Sequence, residues 1–279
     1  MPFRHATEPG ALGRVPKDTL RKTKMRRHSG FFARWAGTLT LLIFAFAAVS
    51  PAGAQSPARN IAVYGDSLAD GVWDAFTRTL KREPGGWTVA RRSSIGTGLT
   101  RHDFQTWLDQ IDADFDANPA RHVVVMFGLN DLRDFRDDRR GRVYGTEAWN
   151  AAYAKRVDQL IARLRAKADN VVWIGLPVFR KPEQNDGAKH LTSLYAEAAS
   201  RARIAFVPIY DDFLGPEGEF TTHLASADGR RLQVRGDDGL HFIGTGYDII
   251  AHKAMAAIRR FEAGQAEASA RLPETTPPR

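Results

Sequence analysis

Five short apolar, β-branched runs recur along this chain, and stretches with helical spacing alternate with them. Asn60–Tyr64 (NIAVY), Trp87–Ala90, His122–Phe127 (HVVVMF), Val171–Gly175 (VVWIG) and Ala205–Ile209 (AFVPI) read as buried strands. Helices are expected over Leu68–Arg82, Asp103–Phe115, Glu147–Ala168, Leu191–Arg203 and Gly244–Glu262. In the first of these, Leu68, Val72, Ala75, Phe76 and Leu80 fall near one face. Alternating strands and helices predict a five-stranded parallel sheet covered on both faces, an α/β fold. A long insertion, Asp211–Asp237, separates the fifth strand from the last helix, and Asp228-Gly229 within it marks a hairpin turn.

The two ends of the chain read differently from its body. Arg26, Arg27 and Arg34 precede an uncharged apolar run, Ala36–Val49, which is short for a bilayer span, and Ala52-Gly53-Ala54 offers small residues for cleavage. Residues 25–54 are therefore read as a signal peptide, with an uncleaved membrane anchor as the alternative. Residues 1–24 form a polar extension that lies upstream of a start at Met25, or else lengthen the signal's positive region. The folded domain is expected over 55–262 and a disordered tail over 263–279.

Charge and cysteine content narrow the chemistry. The formal charge is +8, but residues 1–54 carry nine Lys/Arg against two acids, leaving 31 basic and 30 acidic residues in the remainder. A body of +1 gives no argument for a nucleic-acid partner. With zero cysteines, disulfides, thiolate metal sites and a cysteine nucleophile are excluded.

In parallel sheets ligands bind beyond the carboxyl ends of the strands. That rule gathers Gly65-Asp66-Ser67, the loop 93–100, Gly128-Leu129-Asn130-Asp131, Leu176-Pro177-Val178 and the 237–241 segment on one rim. Ser67 follows a strand and opens a helix, where a serine can serve as a cap or, with a base to take its proton, as a nucleophile. Asp238-Gly239-Leu240-His241 places a carboxylate three residues before an imidazole, close enough in a turn to orient it. Asn130 can donate to a developing oxyanion or simply cap a turn. A glycine N–H in the loop after the second strand can do the former, with Gly98 preferred and Gly96 the alternative.

Taken together these blocks resemble the SGNH hydrolases, also called GDSL esterases. Gly65-Asp66-Ser67-Leu68, Gly128-Leu129-Asn130-Asp131 and Asp238-Gly239-Leu240-His241 match the first, third and last family blocks in order, while only a glycine in 95–100 answers to the second. The resemblance spans about Asn60 to Glu262 and has an exported bacterial-type character. It implies a flavodoxin-like three-layer α/β/α sandwich and acyl-enzyme chemistry without a cofactor or metal. Carried over, Ser67 is the nucleophile, His241 the base, Asp238 its orienter, and Ser67, Gly98 and Asn130 the oxyanion hole.

Substrate residues are expected in the charged segment Asp131–Arg142, where Asp131 and Arg133 stand closest to the oxyanion asparagine. Its five arginines suit an anionic group such as a uronate, a phosphate or a dicarboxylic acyl chain, although a solvated, internally paired loop is the alternative. Trp149 and Trp73 are candidates for sugar stacking, whereas Trp107 and Trp173 read as core. The combined expectation is an exported, periplasmic or secreted esterase that removes short acyl groups, acetyl above all, from an envelope or extracellular glycan or a small ester. Two rivals remain at this point, an O-acyltransferase with the same triad and a catalytically silent glycan-binding module.

Overall fold

The computed structural model describes residues 59–101 and 104–270, with side chains through 268. The segments read as N-terminal extension and signal peptide, and the last nine residues of the chain, lie outside the described residues. In chain order the elements are β1 (Asn60–Gly65), α1 (Ser67–Leu80), β2 (Thr88–Ser93), α2 (Phe104–Ala117) and β3 (His122–Met126). There follow β4 (Phe135–Asp137), β5 (Arg140–Arg142), α3 (Glu147–Arg165), β6 (Asn170–Ile174) and α4 (Pro182–Ala202). The last are β7 (Ala205–Val207), β8 (His223–Ala225), β9 (Arg231–Gln233) and α5 (Gly244–Ala270).

Five of these strands form one parallel sheet in the order β2-β1-β3-β6-β7. Helices α1 and α5 pack on each other, and α2, α3 and α4 pack in sequence as a second layer. This is the three-layer α/β/α sandwich with flavodoxin-like strand order. β3 and β6 are buried at every position, as continuous apolar runs in a doubly covered sheet must be. The chain leaves β1 toward β2 and returns to β3 on the other side, so the loops after β1 and β3 diverge at a switch point. A crevice opens there by topology alone.

Several elements depart from the sequence reading for identifiable reasons. β2 extends through Arg91 and Arg92, whose polar side chains hid a sheet-edge strand. α4 begins at Pro182 rather than Leu191, because its first turns are polar and carry no apolar period; proline at the first turn sacrifices no helical hydrogen bond. α5 runs to Ala270, past Glu262, since an Ala/Glu-rich segment without proline can continue a helix. The insertion holds the hairpin β8–β9 around Gly229, which has φ +78°.

The charged segment contains a second hairpin, β4–β5, rather than an unstructured loop. Phe135 is buried edge-to-face against Trp149 at 5.8 Å, and the Arg156 guanidinium lies 4.4 Å from the Phe135 ring. Trp149 is fully buried, stacks on Tyr153 at 4.7 Å, and donates its indole N–H to the Arg133 carbonyl at 2.9 Å. Its assignment to substrate stacking is therefore corrected: a single helical turn of α3 carries it inward, under the hairpin. Trp73 is half-buried and has the Arg91 guanidinium 5.2 Å above its ring.

Trp149→Ala will cost about 3–5 kcal/mol of stability by opening a cavity under β4–β5. Urea denaturation checks this; a loss below about 1 kcal/mol would return Trp149 to the list of surface residues.

Candidate active site

β1 ends in Gly65, which has φ +140°, and a Cβ there would lie 1.8 Å from the Met126 carbonyl oxygen of β3. Only glycine lets the turn pass so near the neighbouring strand. Asp66 then caps α1, its Oδ1 accepting from the Leu68 N–H at 2.9 Å. Its Oδ2 accepts from the Gly128 N–H at 2.7 Å and lies 3.4 Å from Asn130 Nδ2. One buried carboxylate thus joins the turn after β1 to the turn after β3. Burial pushes the Asp66 carboxyl up to about 7, against the pull of the Leu68 and Gly128 N–H groups.

Ser67 is the first residue of α1 and half-buried. Its Oγ lies 2.9 Å from His241 Nε2, although the two residues are 174 positions apart. His241 Nδ1 lies 2.7 Å from Asp238 Oδ2. The other oxygen of Asp238 accepts from the Leu240 and His241 N–H groups at 2.8 and 2.9 Å, so the carboxylate shapes its own turn while holding the ring. Burial raises the Asp238 carboxyl, but the hydrogen bonds from His241 and Leu240 outweigh it and hold it below the usual range. With Asp238 ionised, Nδ1 carries the proton and Nε2 accepts from the serine hydroxyl. The His241 and Asp238 side chains are 41% and 50% exposed, so this chain of groups sits on an open rim.

The loop after β2 is brought to the same rim. The Ser94 N–H donates to the Gly65 carbonyl at 2.8 Å, and Asn130 Nδ2 donates to the Thr97 carbonyl at 2.9 Å. Gly98 is buried, and a Cβ there would lie 2.3 Å from Asp131 Oδ1, whereas Gly96 is exposed with open space around it. Ser67, His241 and Asp238 are thus joined in a direct line, Asn130 is tied to Asp66 and Thr97, and Gly98 follows Thr97 in the loop that Asn130 holds.

Asp131 does not face a substrate. It is fully buried, and its Oδ1 accepts from the Thr100 N–H at 2.8 Å and the Thr100 hydroxyl at 2.9 Å. Its Oδ2 accepts from the Tyr153 hydroxyl at 2.8 Å, which in turn lies 2.7 Å from the Tyr195 hydroxyl. The single turn of 3-10 helix at Leu129–Asp131 swings the carboxylate inward, and burial raises its pKa. Asp131 is thus a buried anchor for the Gly98 loop, correcting its assignment to substrate binding. Arg133 is exposed, as expected of a residue that could meet a ligand.

Two arginines that sequence reasoning passed over brace the Asp238–His241 turn. Arg235 is fully buried, with its guanidinium 4.1 Å from the Phe242 ring and 5.3 Å from those of Phe179 and Phe220, and it donates to the Val178 carbonyl at 2.9 Å. Arg180 donates to the Asp237 carbonyl at 2.8 Å. Neither lies in a motif, and no sequence signal pointed to either.

A family model described as protein of unknown function (DUF459) matches residues 60–257. No curated protein matches the sequence. Among solved structures, a candidate acylhydrolase from Bacteroides fragilis has a TM-score of 0.51 at 17% identity, covering 72% of this chain and 87% of that one. A catalytic mutant of an acetylxylan esterase from Geobacillus stearothermophilus has a TM-score of 0.51 at 13% identity, over 72% of this chain and 94% of that one. These likenesses show a shared fold.

The raised Asp66 carboxyl carries a stability signature. Its contribution is fully present below about pH 4 and is lost as pH rises through about 7, at up to roughly 1.4 kcal/mol per pH unit. Denaturant titrations at several pH values will show the natural protein losing stability over this window relative to Asp66→Asn; parallel profiles would contradict the shift.

Proposed function

The chain belongs to the DUF459 family, which is SGNH-hydrolase-like, and we propose that it is a serine esterase releasing short acyl groups, acetyl above all, from a glycan or another ester exposed to its rim. The observation that carries this reading is the unbroken line from Ser67 Oγ through His241 to Asp238, at 2.9 and 2.7 Å. A cap serine has no need of an imidazole at that distance, and an imidazole so oriented is poised to take a proton.

In the proposed reaction His241 Nε2 removes the Ser67 hydroxyl proton as Oγ bonds to the ester carbonyl carbon. Asp238 holds the imidazolium that forms. The carbonyl oxygen takes the negative charge and meets the N–H groups of Ser67 and Gly98 and the amide of Asn130. One amide hydrogen of Asn130 is held at 2.9 Å by Thr97, whereas the 3.4 Å approach to Asp66 is weak enough for an oxyanion to displace. Collapse breaks the ester C–O bond, and the departing alcohol takes the proton from His241. Water, deprotonated by the same imidazole, then cleaves the acyl-serine and releases the acid.

The half-exposed acid–base pair suits an acyl group presented on a large molecule, because little of the surrounding alcohol need be enclosed. Among the described residues no helix is long and apolar enough to cross a membrane. Export rests on the sequence of residues 25–54, and a glycan of the cell envelope or exterior is the substrate that such a location would supply.

Ser67→Ala will lower hydrolysis of an aryl acetate by several orders of magnitude, and Asn130→Ala will lower kcat by about 10²–10³. Steady-state kinetics on the purified variants check both; undiminished turnover by Ser67→Ala would overturn the assignment.

A further inference from the structure

Between the loop after β2 and the β4–β5 hairpin lies a cavity of about 300 Å³ lined by Thr100, Arg101, Arg133, Asp134, Phe135 and Arg136. Three guanidinium groups border it against one carboxylate. Arg101 and Arg133 have no ion-pair partner among the described residues, and the Arg136 side chain donates there to the Arg139 carbonyl at 3.3 Å. The Asp134 carboxylate is partly engaged, with Oδ1 accepting from the Tyr144 N–H at 2.8 Å.

The walls are fixed from below. Arg156, itself nine-tenths buried, donates to the carbonyls of Leu99 and Arg101 on one wall and of Arg136 on the other. Thr100 is held through both its N–H and its hydroxyl by Asp131. A cation is thus stitched beneath two loops that carry three more, so arginines outnumber the single carboxylate, Asp134, in the lining. Guanidinium forks of this kind match a carboxylate, phosphate or sulfate, and do little for a neutral sugar.

The cavity is also close to the reaction. Arg101 follows Gly98 by three residues and Arg133 follows Asn130 by three, so each Cα lies no more than about 11 Å from that of an oxyanion donor. We propose that this groove binds an anionic group of the substrate, so that the preferred ester carries a carboxylate, phosphate or sulfate beside the scissile bond. The link to a scissile bond rests on the esterase reading above; the binding of an anion by the groove does not.

The test compares the natural protein with Arg101→Gln/Arg133→Gln on matched esters. Aryl hemisuccinate against aryl acetate places the charge on the acyl side, and acetylated methyl glucuronate against acetylated methyl glucoside places it on the alcohol side. The proposal expects the anionic member of one pair to be preferred in kcat/KM, with the preference falling about tenfold or more in the double variant, through KM. It expects the preference to weaken with added salt, and an Arg201→Gln control on α4 to keep it. No preference in either pair, or one that the double variant retains, would overturn the proposal. A catalysis-free arm titrates Ser67→Ala protein calorimetrically with monomethyl succinate and with dimethyl succinate. Binding of the monoester alone, lost in the double variant, supports the groove even if neither ester pair is hydrolysed; equal binding of the two, or none, counts against it.

Discussion

Asp66 holds the two sides of the switch point together. Its oxygens accept from the Leu68 N–H at the start of α1 and from the Gly128 N–H after β3, and Asn130 reaches toward the same carboxylate. Parallel topology opens a crevice between these loops, but topology does not fix their separation to within a hydrogen bond. The buried carboxylate does, with water excluded and both lone-pair sets directed at backbone donors. Asp131 repeats the device one loop further out, gripping Thr100 so that Gly98 is carried to the same rim. The nucleophile turn, the amide of Asn130 and the glycine loop are thereby linked by one set of hydrogen bonds.

The acid–base pair is built separately and brought in from the far end of the chain. Asp238 shapes a turn through the N–H groups of Leu240 and His241, and Arg180 and Arg235 brace that turn from the loop before α4 and from the insertion. The brace lets the imidazole stand on an exposed rim without the support of a surrounding pocket. Openness and order are compatible here because order comes from behind the ring. The same division recurs at the arginine groove, where Arg156 fixes the walls from beneath.

Much of this was legible in the sequence, and the exceptions have physical causes. Apolar β-branched runs at β1, β3 and β6 revealed the central sheet because strands buried on both faces leave no room for polar residues. β2 and the first half of α4 were obscured because an edge strand and a solvated helical turn carry little apolar period. Ser67, Asn130, Asp238 and His241 were legible because their chemistry is local to short motifs at strand ends. Asp131 was misplaced because adjacency to Asn130 says nothing of which way the next side chain points, and Trp149 because a large aromatic ring suits a stacking face and a core equally. A 3-10 turn sent the first inward, and helix phase the second. Arg235 had no signal at all, since its role depends on Phe179, Phe220 and Phe242, which are distant or unremarkable in the sequence.

Covalent transfer of an acyl group to one hydroxyl is the step on which the proposed activity depends. Its most direct measurement is mass-spectrometric peptide mapping of the protein quenched with acid during turnover of an aryl acetate. The expected result is an acetyl group on the peptide containing Ser67, localised to that residue and absent from the Ser67→Ala protein. An adduct on a different residue, or steady hydrolysis with no acetyl on Ser67 at any quench time, would contradict it.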